Sequence, residues 1–96
     1  MKIIPLTIEE AELFLSQHNR HYVAPAERIC AIGVGEYTDG DGGTLFIHGA
    51  AILGRNAAGE AELSHIYVDG VSQGYSLLYG AVWRAFKALG YRTAVL

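Results

Sequence analysis

Ninety-six residues, 51% of them apolar and 18% charged, suffice for one small core and argue against an intrinsically disordered chain. A formal charge of −3 with no basic run makes no case for gripping a nucleic-acid backbone, and no apolar run is long enough to span a membrane. The single cysteine excludes a disulfide within the chain, and Met1-Lys2-Ile3-Ile4-Pro5 is not a signal peptide, so a reducing cytoplasm is the expected compartment.

Lys2 to Leu6 predicts a short first strand, and Pro5 marks it as an edge. Thr7-Ile8-Glu9-Glu10 is a capping-box pattern, with Thr7 as N-cap and Glu10 reaching back. The helix that follows runs to about His18 and should bury Ala11, Phe14 and Leu15. Asn19 to Pro25 reads as a loop. Arg28 to Tyr37 reads as an apolar strand, with Cys30 a buried, inert thiol. Thr38 to Gly43 has the composition of a hairpin turn; Asp39 and Asp41 lack the length and the terminal glutamate of a calcium loop. Thr44 to Leu53 is apolar at both parities, hence a central strand, with His48 structural. Gly54 to Gly59 makes a second turn, and Ala61 to Asp69 a fourth strand.

Val71 to Tyr91 reads as a turn, a long amphipathic helix and a glycine stop. Leu78, Ala81, Val82, Ala85 and Leu89 form one stripe, with Ser76, Gly80, Arg84 and Lys87 opposite. Lys87 sits where the helix dipole welcomes a cation, and Gly90 suits the left-handed stop. Trp83 falls among the polar residues, either as a ring half covered by a loop or as an interface anchor. Arg92 to Leu96 reads as a fifth strand, parallel to the fourth through a right-handed crossover. The expected architecture is α+β: strand, helix, three-strand meander, helix, strand, a mixed sheet with helices packed on it, one domain over residues 1–96.

The fourth strand runs through a turn into a helix N-terminus, where free N–H groups and the dipole favour an anion. Glu62 and His65 lie on that strand. Simple alternation places Leu63, His65 and Tyr67 on one face and Glu62 and Ser64 on the other, so only one of the pair would face a substrate. Each also reads plainly, Glu62 as a solvated glutamate and His65 as a hydrogen-bonded structural residue. His18 and His21 have a spacing that permits metal binding but no third ligand, so no metal is expected. Arg20, His21 and Tyr22 combine ring area with hydrogen bonding, as contact surfaces do; a solvated loop with Tyr22 tucked inward fits equally.

The element order, with Tyr67-Val68-Asp69 leading to Gln73-Gly74 and closing at Leu89-Gly90-Tyr91, resembles the GNAT superfamily of acyl-CoA-dependent N-acetyltransferases. More narrowly, Gln17 to His21, Ala31 to Val34 and Ser76 to Tyr91 resemble a small phage and prophage group of GNAT-like proteins. The resemblance covers nearly the whole chain. It implies acyl-CoA in a wedge between the fourth and fifth strands. Its pyrophosphate would lie on a Gln/Arg-x-x-Gly-x-Gly/Ala loop at the helix start, here Gln73, Gly74, Tyr75 and Ser76. Aligned from the strand, Gln73 takes the first position, with Ser76 and Leu78 at the glycine positions. Aligned back from Leu89-Gly90-Tyr91, the three become Gly70, Gln73 and Tyr75. Neither register keeps both small residues, and Tyr75 or Leu78 would crowd the pyrophosphate.

The resemblance further implies a helix and two strands beyond the fifth strand, with a tyrosine general acid, whereas this sequence ends at Leu96. The favoured expectation is therefore a truncated GNAT-like protein without cofactor. It would act by binding and inhibiting a host protein or complex, such as a defence or anti-CRISPR target, through Arg20, His21, Tyr22, Trp83 and Arg84. An open strand edge would favour a homodimer. The alternative is a minimal N-acetyltransferase using acetyl-CoA, completed by a dimer mate, with Glu62 or His65 moving the proton.

Overall fold

The computed structural model describes residues 2–18, 27–37, 45–69, 72–91 and 93, without the side chains of Tyr37, Ser72 and Gln73. The elements are β1 (Lys2–Leu6), α1 (Ile8–His18), β2 (Glu27–Tyr37), β3 (Leu45–Arg55), β4 (Ala61–Val68) and α2 (Ser72–Ala88). The four strands form one antiparallel sheet in the order β1-β2-β3-β4. Among the described residues this makes β1 an edge strand, where Pro5 has no second neighbour to bond. The expected hairpin at 38–43 and, Thr93 apart, the expected fifth strand lie outside the described residues.

The two helices cover opposite faces of the sheet. Strand alternation on β3 sends Ala50 and Ile52 toward α1, where they pack with Ala11, Phe14, Leu15 and Ala31. Ala51 and Leu53 go the other way, into a cluster with Val34, Leu63, Val68 and Leu78, Val82 and Phe86 of α2. Both parities of β3 are thus buried, which is why its sequence reads as a continuous apolar run.

α1 starts on a complete capping box. The Thr7 N–H donates to Glu10 Oε1 at 2.9 Å, and the Glu10 N–H donates to Thr7 Oγ1 at 3.1 Å. Arg28 on β2 forms an ion pair with Glu12, clamping the helix to the sheet. α2 ends on a Schellman motif, with Gly90 at φ +92°. The Tyr91 N–H donates to the Phe86 carbonyl and the Gly90 N–H to the Lys87 carbonyl, each at 3.0 Å. The hydrophobic contact that accompanies such a stop is an edge-on packing of Tyr91 on Phe86, centroids 6.1 Å apart. Arg55 Nε then donates to the Tyr91 hydroxyl at 2.7 Å, so the stop is tied to the end of β3.

Three expectations need correction. Leu89 does not belong to the buried stripe: it is 50% exposed, because the helix has already ended at Ala88. Phe86, at the margin of the predicted stripe, is fully buried in its place. β3 runs through Gly54 to Arg55, because the turn is built on Asn56 rather than on Gly54. Asn56 Oδ1 accepts from the N–H groups of Ala58 and Glu60, both at 3.0 Å, and Gly59 takes φ +81°. Cys30 is only half buried; it packs against the α2-side cluster, where desolvation pushes its thiol pKa up.

Candidate functional site on the fourth strand

The pairing of β4 with β3 slips by one residue. Ile52 is opposite His65, but Leu53 is opposite Leu63, so Ser64 is an extra residue forming a bulge. Beyond it the pairs continue as Gly54 with Glu62 and Arg55 with Ala61. Directly paired residues share a face, and the bulge resets the alternation. Leu63 joins the α2-side cluster while Tyr67 packs on the α1-side cluster, so the two do not share a face. His65 follows Ile52 to the α1 side. Glu62, opposite Gly54, is carried to that side too. The expectation that Glu62 and His65 lie on opposite faces is thus overturned.

The electrostatics fit this arrangement. Burial of the imidazole pushes the His65 pKa below its ordinary value, and the Glu62 carboxylate partly restores it. His65 Nδ1 is itself buried. The ring is therefore held neutral at neutral pH, with a carboxylate close enough to stabilise a proton if one arrives.

Next along that face stands an aromatic group which sequence reading did not single out. Tyr67 stacks on His18 with centroids 5.0 Å apart and an interplanar angle of 18°. Phe14 packs against both, at 4.4 Å from His18 and 6.2 Å from Tyr67. His18 thus has a packing role, and among the described residues no cluster of His, Cys, Asp or Glu could hold a metal. Beyond Phe14 an open groove of about 340 Å³ runs between α1 and the start of β3, lined by Leu13, Phe14, Phe46 and Ile47 together with the polar Glu10 and Gln17. Leu13 and Phe46 on its rim are 61% and 51% exposed.

β4 ends at Val68, and the Asp69 N–H donates to the His48 carbonyl at 2.6 Å before α2 begins at Ser72. Gln73 and Gly74 therefore lie in the first turn of α2, where N–H groups have no partner within the helix, and Tyr75 and Ser76 follow them. That turn carries no acidic residue. Gly74 is buried and Ser76 exposed. Leu78 is wholly buried in the core, so it does not crowd the helix start as expected.

Of the residues expected to meet a partner, Arg20, His21 and Tyr22 lie outside the described residues. Trp83 and Arg84 are exposed on α2. Two residues missing from that set, Tyr75 and Tyr79, share the same flank with Trp83; their four-residue spacing was the signal that could have found them. Among the described residues no helix is long and apolar enough to cross a membrane. No family model, no curated protein and no solved structure matches this chain.

Proposed function

We propose that the chain is a GNAT-like domain that transfers an acetyl group from acetyl-CoA to an amine. The observation that carries this reading is the bulge at Ser64, which brings Glu62 and His65 onto one face of the strand leading to α2. Neutral His65 accepts the proton released as the amine nitrogen attacks, and Glu62 stabilises the resulting imidazolium. The new C–N bond replaces the thioester C–S bond, and the departing thiolate takes up the proton that the imidazolium gives back.

The first turn of α2 suits a pyrophosphate. It offers free N–H groups, the positive end of the dipole and no carboxylate. Gly74 is buried and Ser76 exposed, both of them small residues at the start of this helix. Acetyl-CoA supplies the activated acyl group; this chain holds it and moves the proton.

The test is calorimetric titration of acetyl-CoA and CoA, alongside acetyl transfer to a panel of amines. Micromolar binding is expected. Glu62→Gln and His65→Gln should each retain binding but lose about 10²–10⁴-fold in turnover. No binding at millimolar ligand would overturn the reading. A second reading, a GNAT-like protein that inhibits a host protein complex in the bacterial cytoplasm, with or without dimerisation, is favoured by a separate observation, the exposed rings of α2.

A further inference from the structure

The flank of α2 carries a ladder at every fourth residue: Tyr75, Tyr79, Trp83 and Lys87. The three rings are 36%, 42% and 38% exposed, a large aromatic area to leave in water. Tyr75 and Tyr79 are stacked, with centroids 6.4 Å apart. The Lys87 ammonium lies over the Trp83 ring at 5.6 Å from its centroid. Arg84 lies back toward Gly80, where its Nη1 would be only 3.3 Å from an added Cβ. Gly80 thus leaves a shallow saddle beside the rings, edged by a guanidinium.

The charge of this helix is one-sided. Arg84 and Lys87 are the only charged residues in Ser72–Ala88, in a chain whose formal charge is −3. The carboxylates of α1 are on the opposite side of the sheet, since the two helices pack on different faces. An aromatic strip on a helix that carries two cations and no carboxylate of its own complements a ligand that is both apolar and acidic. Rings of this kind, with arginine, are also what the energetic centres of protein interfaces are made of.

We propose that the Tyr75–Tyr79–Trp83 strip docks an acidic amphipathic segment of another protein, apolar side chains on the rings and carboxylates on Arg84 and Lys87. This rests on the docking reading of the chain and shares only Tyr75 with the acyl-transfer reading. A membrane surface fits less well, because two cations give weak attraction to anionic lipid and the helix commits its most apolar face to the core.

The test is selection from a displayed library of random helical peptides, followed by anisotropy titration of the labelled winners and by the emission of Trp83, the only tryptophan in the chain. Selected peptides should combine an excess of Asp and Glu with aliphatic or aromatic residues at helical spacing. Their binding should shift Trp83 emission to the blue and weaken with salt. Arg84→Glu and Tyr79→Ser should each weaken it about tenfold or more, as truncations at interface centres do. Glu9→Lys on α1 should leave it unchanged. Selection without acidic enrichment, or binding indifferent to Arg84→Glu, would overturn the proposal. So would a blue shift caused by concentrating the protein alone, or by phosphatidylglycerol vesicles but not by peptides. Acetyl-CoA binding is measured separately, so failure here leaves the acyl-transfer reading standing.

Discussion

Gly35 and Gly80 show how differently one residue type is constrained in this molecule. Gly35 follows a shift in the β2–β3 register, and a Cβ there would run into the Phe46 carbonyl oxygen and stand 3.1 Å from Ile4 Cδ1. Backbone cannot step aside as a side chain can. Gly35→Ala should cost about 1–3 kcal/mol in urea denaturation, the usual toll of overpacking. At Gly80 the added methyl meets only the mobile end of Arg84, so Gly80→Ala should stabilise by about 0.5–1 kcal/mol through helix propensity. His65 brings a different constraint, in pH. Its folded pKa lies below its unfolded value, so the unfolded chain binds more protons in the window between them. The stability that His65 confers is complete above the ordinary histidine pKa and lost as pH falls through the depressed one. Subtracting the pH–stability curve of His65→Gln from that of the wild type should leave a difference that rises with pH across this window. A difference that is flat or falls with pH would contradict the burial argument.

At the scale of elements, those with local chemistry were readable in advance. Thr7 and Glu10 announce the start of α1, and Gly90 announces the end of α2, because caps are satisfied by residues a few positions apart. Gly90→Ala forces a Cβ into left-handed backbone and should cost about 1–2 kcal/mol. Thermal melts should show the loss. The Ser64 bulge was not readable. Nothing in Ala61 to Val68 departs from an ordinary strand, and the extra residue is defined only by its partner on β3. Simple alternation therefore put Glu62 and His65 on opposite faces. The error came from pairing, which is non-local, and not from misjudged propensity. Phe86 was missed for a related reason: it is buried against sheet residues distant in sequence, with Tyr91 edge-on to its ring.

Across the described residues, the α+β class and the order of the six elements followed from periodicity and turn composition, and so did the central place of β3. What periodicity leaves open is how the faces are divided. The separation of the two clusters, one under α1 and one under α2, emerges only when β3 is sandwiched between them. The same division separates the two proposed functions. Proton transfer belongs to the α1 side of β4, and the docking strip belongs to the outer surface of α2. Changes to Glu62 or His65 can therefore be made without touching Tyr79, Trp83, Arg84 or Lys87, whereas Tyr75 belongs to both the start of α2 and the strip.

Strand order in this sheet is also chain order. During synthesis each strand therefore meets an edge that has already been made, and none must wait for a distant segment. α1 arrives early enough to shelter its own face as the sheet grows. The other face has no such shelter: Val34, Ala51, Leu53, Leu63 and Val68 stay bare until Leu78, Val82 and Phe86 leave the ribosome. The nascent chain is most exposed to aggregation in that interval, and α2, which closes it, is the step on which a productive birth depends.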